Sequence, residues 1–460
     1  MSAQGLQQAQ DKMAAAGVNP QAVDVFSHYY HQLEDGVTGF IAEDSIEPLE
    51  HPDLLGDVAV SDEDARAALA STVIIKLNGG LGTSMGMDRA KSLLPVRDGK
   101  SFLDLIVDQV RAARVAHDAS LPLVFMNSFR TRDDTLRAVA GYQDLAVDGL
   151  ELDFLQSQEP KLRADDLTPV EWPADPSLEW CPPGHGDLYT ALESSGILDR
   201  LLALGYRYAS VSNSDNLGAA PDATIAGWFA ASGAPYAAEI CRRTAADRKG
   251  GHLAIRKADR QLILRDTAQT AKEEMHFFTD EHRHPYFHTN NLWFDLAVLS
   301  ATLKERQAVL GLPLIKNEKT VDPADPSSVP VVQIECAMGA AVEVFEGATA
   351  IGVGRERFLP VKSTNDLLLL RSDVYEVDDA GQLVRTVDPA PLVDLSGSSY
   401  KTITAFDARF PAGAPSLRQA RSLSVEGDWT FEADVTVVGA GRLADVGEPR
   451  TVAAGTVLEG

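Results

Sequence analysis

Four glycines in eight residues, Gly79, Gly80, Gly82 and Gly86, stand between two lysines, Lys76 and Lys91. They directly follow the apolar run STVIIKL. A glycine-rich turn leaving a parallel strand offers backbone N–H groups to an anion, because the missing Cβ lets the chain come close to phosphate. The chemistry this favours is nucleotide binding. Two familiar spacings fail, however. The dinucleotide pattern needs a third glycine where Met85 stands, and the Walker A pattern needs a glycine where Ala90 precedes Lys91-Ser92. Further along, Asp215 follows the apolar run YRYASVS and falls at the carboxyl end of that strand, where open α/β sheets bind ligands. An isolated carboxylate there suits Mg²⁺, which takes one or two carboxylates and completes its shell with phosphate oxygens and water. The alternative is a cap on the next turn. His185 lies between two glycines ahead of the helical stretch LYTALESSGILDRLLALG, a second anion-compatible turn or else a structural histidine. Lys362 stands just before Ser363 to Asp366, a capping-box-like opening of a leucine-rich helix whose N–H groups would share an anion with the ammonium.

The elements that must position these groups are readable as alternation. From Ser71, short apolar runs alternate with amphipathic stretches: STVIIKL, FLDLIVDQVRAARVAHD, LPLVFMN, then a helix near Arg132 to Val139. That pattern predicts βαβ units around a buried sheet. The expected fold class is α/β, a Rossmann-like central mixed sheet flanked by helices. Residues 1–70 read as an acidic N-terminal helical extension and 71–377 as the catalytic region, whose last helix is TNDLLLLRSDVY. Beyond Val377 helical periodicity stops, and residues 378–460 read as a small β domain or stacked β coils.

Composition narrows the function. The chain has 460 residues, 45% of them hydrophobic, enough for a large core in two or three lobes. With 67 acidic against 41 basic residues, the surface repels polyanions, which argues against nucleic-acid binding and makes any phosphate site local. Cys181, Cys241 and Cys336 match no zinc or CxxC spacing, and their scarcity points to a reducing cytosol. No signal peptide or membrane span is expected, so the reading is cytoplasmic.

The motif GGxGTxMG followed by Lys91 and Pro95-Val96, with the opening Lys76-Leu77-Asn78, resembles the loop of the eukaryotic-type UTP:glucose-1-phosphate uridylyltransferase family. Six further motifs follow in order: FLQSQEP, PPGHGD, VSNSDNLGA, KGGHL, HTNNLW and FLPVKSTNDLLLLRSDVY. The resemblance implies a nucleotidyltransferase that makes UDP-glucose and pyrophosphate from UTP and glucose 1-phosphate with Mg²⁺. It implies that Leu77, Gly79, Gly80, Lys91, Gln156, Gly184 and Asp215 bind the nucleotide, with Gln156 and Gly184 at uracil and Asp215 on the metal. It also implies that His185 and Lys362 meet phosphate, Lys91 and Lys362 being the catalytic cations, and that Asn213, Gly251, Asp266 and Asn291 meet the hexose. Lys76 either supports the glycine loop or is structural. Asp266 departs from the family, which more often has glutamate before the Ala-Gln seen here at 268 and 269. Transfer to galactose 1-phosphate or several hexose phosphates is therefore the alternative within the class. A nicotinamide-dependent dehydrogenase is opposed by the failed fingerprint, and a catalytically silent sugar-nucleotide binder by Lys91, Asp215 and Lys362. Self-association is left open.

Overall fold

A computed structural model describes residues 2–244 and 247–460. Its centre is an eleven-stranded mixed sheet. In chain order the strands are β1 (Ile46–Pro48), β2 (Asp53–Leu54), β3 (Thr72–Asn78), β4 (Leu123–Asn127), β5 (Asp153–Leu155), β6 (Tyr208–Asn213), β7 (Tyr236–Arg242), β8 (His252–Arg256), β9 (Leu262–Arg265), β10 (Tyr286–Asp295) and β11 (Thr349–Val353). The main path runs β2-β11-β7-β10-β6-β3-β4-β5, with β1, β8 and β9 branching beside β10. Strands β6, β3, β4 and β5 are mutually parallel, and β10 runs antiparallel between β6 and β7.

The βαβ reading holds because β3 is buried on both faces. Val73, Ile75 and Leu77 enter one core cluster while Ile74 enters the other, as period-two alternation requires. On the first face lie Phe26, Tyr29 and Tyr30 of the helix Pro20–Glu34. The helix Phe102–His117 packs on the second, its start fixed by a Ser101/Asp104 capping box.

Three expectations change. The N-terminal stretch is more than helical, since β1 pairs with β8 and β2 with β11, so it completes the sheet edge. Gly196, in the left-handed region, divides LYTALESSGILDRLLALG into the helices Leu188–Ser194 and Ile197–Ala203. The helix Thr364–Arg371 is the last of its region, but helices do not stop beyond Val377, because Gly397–Tyr400 and Ile403–Arg409 are helical too. Around them, the strands Leu392–Leu395, Ser416–Val425, Thr436–Leu443 and Val457–Glu459 form one parallel ladder, with a second between Trp429–Phe431 and Arg450–Val452. Stacked β coils are what such all-parallel ladders make. Leu417, Leu423, Val425 and Val437 join the second core cluster, which binds this region to the sheet. No helix among the described residues is long and apolar enough to cross a membrane.

Candidate active site

Strands β3, β4 and β6 end at one edge, and their loops carry the predicted residues. The glycine turn begins where β3 stops. Gly82 and Gly86 take left-handed conformations around a short 3-10 turn. Among the described residues the amides of Gly80, Leu81 and Gly82 donate to no protein acceptor, so they remain available to an anion. A side chain at Gly86 would stand 2.9 Å from Thr402 Cγ2, so the turn also needs a glycine where it meets the C-terminal region.

The two residues assigned to uracil, Gln156 and Gly184, converge with Gly79. Gln156 Nε2 donates to Gly184 O at 2.8 Å, and a Cβ on Gly79 would lie 2.9 Å from Gln156 Oε1. Gly184 has φ 78°, and a Cβ there would stand 2.6 Å from Cys336 O, so both backbone conformation and space demand glycine. Its turn docks on the chain at Cys336: Gly186 N donates to Cys336 O at 2.9 Å and Cys336 N to Pro183 O at 3.0 Å. Beneath it Asp187 is buried and accepts from Ser157 N at 2.6 Å, with burial raising its carboxyl to about 7.

Next to this trio stands a cation–carboxylate pair. Lys91 Nζ donates to Asp215 Oδ2 at 2.6 Å and also to Val361 O. Asp215 Oδ1 accepts no hydrogen bond among the described residues. The turn carrying Asp215 is tied to β3 through Leu77 O, which accepts from both Ser214 N (3.0 Å) and Ser214 Oγ (2.9 Å). It is tied to the segment before Lys362 by Leu359 N donating to Asn216 Oδ1 at 2.8 Å and by Val361 N donating to Asp215 O at 3.3 Å. A buried bidentate pair underlies that segment: Arg357 donates to Glu239 at 3.0 and 2.7 Å. Breaking such a pair from one side costs about 3–5 kcal/mol, so Lys362 is carried on a firm base.

This geometry bears on five of the residues singled out in the sequence. Leu77 is a core residue whose carbonyl accepts two hydrogen bonds from Ser214, so it anchors the Asp215 turn. Lys76 is fully buried, donates to Ser212 Oγ (2.7 Å) and Ala219 O (2.8 Å), and is brought down to about 7 by burial and then by Arg357. It is structural. Ahead of the helix beside Lys362, the N–H groups of Lys362 and Ser363 are already taken, because Asp366 Oδ2 accepts from both, each at 2.8 Å. The ammonium of Lys362 is exposed, its Nζ 6.0 Å from the Phe358 ring centroid, and remains available to phosphate. His185 is neutral: burial pulls it down to about 4, and its Nδ1 accepts from Met338 N at 2.9 Å. Finally, Asn291 is engaged by protein partners. It is 2% exposed, donates to Glu239 Oε2 (3.1 Å) and Arg357 O (3.2 Å), and accepts from Asn216 (3.1 Å).

The neighbour of Asn291 is less enclosed. Asn290 is half-buried with φ 60°, its amide N–H held by His288 Nδ1 at 2.9 Å. His288 N in turn donates to Gly251 O at 2.8 Å. A Cβ on Gly251 would stand 2.5 Å from Asp266 Oδ1, so Gly251 and Asp266 are in close contact. Asp266 does not simply end its strand in solvent: burial raises its carboxyl, and its N–H donates to Gln269 Oε1 at 2.8 Å. Asn213 ends β6, half-buried, two residues ahead of Asp215. The signal for Asn290 was its non-glycine left-handed backbone, which sequence does not display.

A cation would fit Asp215 Oδ1 as the one protein oxygen, leaving the other positions to phosphate and water as Mg²⁺ prefers. Among the described residues no three His, Cys, Asp or Glu side chains gather as a cage.

Residues 23–438 match the family model described as UTP--glucose-1-phosphate uridylyltransferase. The potato protein of that name is 40% identical over 394 residues, covering 84% of this chain and 80% of its own length. The crystal structure of UDP-glucose phosphorylase from Trypanosoma brucei superposes with a TM-score of 0.91 at 41% identity, covering 99% of this chain and 98% of that one. A UDP-glucose pyrophosphorylase variant from Leishmania major, solved in complex with UDP-glucose, gives a TM-score of 0.91 at 39% identity, with 99% and 98% covered. This chain therefore belongs to the UTP--glucose-1-phosphate uridylyltransferase family of nucleotidyltransferases.

Proposed function

We propose that this chain transfers a uridylyl group from UTP to glucose 1-phosphate, giving UDP-glucose and pyrophosphate, with Mg²⁺ as the metal. One observation carries the reading: the contacting trio of Gly79, Gln156 and Gly184 is joined to the Lys91–Asp215 pair at one sheet edge, where Lys91 N donates to Gly80 O at 3.0 Å. An oxygen of the sugar phosphate attacks the α-phosphorus of UTP, and the bond from that phosphorus to the bridging oxygen breaks. Pyrophosphate departs with the electron pair. The nucleophile is already anionic, so no general base is required, and the protein's work is positioning and charge neutralisation.

Gln156 reads uracil through an amide that both donates and accepts. With Nδ1 of His185 occupied, its neutral ring carries the proton on Nε2 and donates to a phosphate oxygen. Lys91 and Lys362 offset the charge of the two substrates. Bound Mg²⁺ supplies further neutralisation on the phosphate oxygens. Asn213, Gly251, Asp266 and, in place of Asn291, Asn290 form the hexose side. All these groups fall within 71–377, which we take as the catalytic region between an N-terminal extension (1–70) and the C-terminal coils (378–460). Buried, unpaired Cys181, Cys241 and Cys336 suit a cytoplasmic setting. The test is pyrophosphate release with UTP, Mg²⁺ and a panel of hexose 1-phosphates including galactose 1-phosphate. Release fastest with glucose 1-phosphate is expected, and release with no sugar phosphate would reject the reading.

A further inference from the structure

Behind the hexose side lies a buried ionic cluster that the roles above do not use. Arg265, whose side chain is 0% exposed, donates to the carboxylate of Glu43 and, at 2.6 Å, to Glu274 Oε2. Arg283 donates to the same Glu43 carboxylate, and His284 Nε2 lies 3.1 Å from it. The backbone N–H of Glu43 closes the ring by donating to Glu274 Oε2 at 2.9 Å. His252 stacks on His284 with ring centroids 3.9 Å apart.

The placement of this cluster is specific. Arg265 immediately precedes Asp266, His252 immediately follows Gly251, and the two are paired across β8 and β9. The two strand ends that bring Gly251 and Asp266 into contact are thus fixed from behind by one carboxylate. That carboxylate comes from the N-terminal extension, held at the sheet edge because β1 pairs with β8 from Ile46↔Arg256 to Pro48↔Ala254.

We propose that Glu43 is a positioning residue for hexose recognition: by holding the guanidinium of Arg265 it sets where Asp266 stands against Gly251. The inference rests on the reading of Asp266 as a hexose-side residue. A fully buried guanidinium must keep carboxylate partners, because an unpaired buried charge is costly. Loss of the Glu43 charge leaves Arg265 with the partly exposed Glu274 alone. Arg265 then moves toward that side and draws the adjoining Asp266 with it, since cores respond by shifting, not by stretching. The contacts named here, Glu43 to Arg265 and Asp266 to Gly251, include neither Gln156 nor Gly184, so the nucleotide side is expected to hold.

The experiment compares Glu43→Gln, Glu43→Asp and Asp266→Ala with wild type, reading KM for both substrates and the glucose-to-galactose ratio of kcat/KM. KM does not depend on how much of a preparation is folded, and Glu43→Asp keeps the charge if Glu43→Gln proves insoluble. Displacement of a substrate-positioning group is worth up to about a hundredfold, so Glu43→Gln is expected to raise KM for glucose 1-phosphate about tenfold. KM for UTP should hold and sugar preference should fall, with Glu43→Asp intermediate. Both KM values unchanged, or both rising together, while Asp266→Ala raises only that for glucose 1-phosphate, would overturn the role of Glu43 and leave the hexose reading intact. An unchanged glucose 1-phosphate KM in Asp266→Ala would overturn the hexose reading, and the inference with it.

Discussion

On the nucleotide side, main chain does most of the holding: Gly79 admits Gln156, Gln156 bonds the carbonyl of Gly184, and Gly184 rests on the backbone at Cys336. On the hexose side, side chains do it: His288 fixes Asn290, and Arg265 with its carboxylates stands behind Asp266. Backbone-built sites leave glycines at fixed spacings, whereas sites held by distant side chains leave no local pattern. The first kind tolerates few substitutions at a few positions. The second spreads its dependence over residues far away in sequence, including Glu43.

The strongest attack on this two-sided picture is at the junction. Asp215→Ala removes the proposed protein ligand of the metal and the partner of Lys91, and should lower kcat about a thousandfold with the fold retained. Circular dichroism and pyrophosphate release check it together; near-normal turnover at ordinary Mg²⁺ would dissolve the junction. Next, Lys362→Ala should lower kcat about a hundredfold while changing either KM far less, because an exposed ammonium acting on both phosphates gains most when they share a transition state. An effect confined to KM for glucose 1-phosphate would assign Lys362 to the hexose side alone.

The smallest expected effect sharpens the nucleotide side. Asp187 is raised from 3.8 to about 7 by burial, so the folded state binds its proton more tightly than the unfolded chain. Its contribution to stability is complete below about pH 4 and is lost as pH rises through 7. Asp187→Asn still accepts from Ser157 N and removes that loss. Its melting temperature relative to wild type should therefore be higher at pH 8 than at pH 5, by about 1–3 °C. An equal difference at both pH values would mean that Asp187 is already ionised beneath the turn.

Much of this was legible in the chain. The apolar run before Gly79 gave β3, and the residue following YRYASVS by three, Asp215, does stand at a strand's carboxyl end beside Lys91. What failed did so for physical reasons. Adjacent residues in a strand face opposite sides, so HTNNLW could not tell Asn290 from Asn291, and a register irregularity between Ala238 and Ile240 in the partner strand lies at that level. Lys76 and Leu77 sit in the right motif, yet burial on both faces of β3 turns them into supports. The role of Asp366 was half visible: the capping box was read, but not that its carboxylate would also take the N–H of Lys362 itself. Glu43 was invisible, because its partners lie more than 200 residues away.

The central claim is that the two sides recognise their substrates separately and meet only at Lys91, Asp215 and Lys362. It is tested most directly by measuring both KM values, for UTP and for glucose 1-phosphate, in Gln156→Ala and Asp266→Ala side by side. A charge-assisted or well-aimed hydrogen bond is worth about 1–3 kcal/mol, or about five- to a hundredfold in binding. Gln156→Ala should raise KM for UTP by that factor and leave the sugar phosphate nearly untouched, and Asp266→Ala should do the reverse. If either variant raised both constants equally, or if each raised the other's, the division into a nucleotide side and a hexose side would be wrong.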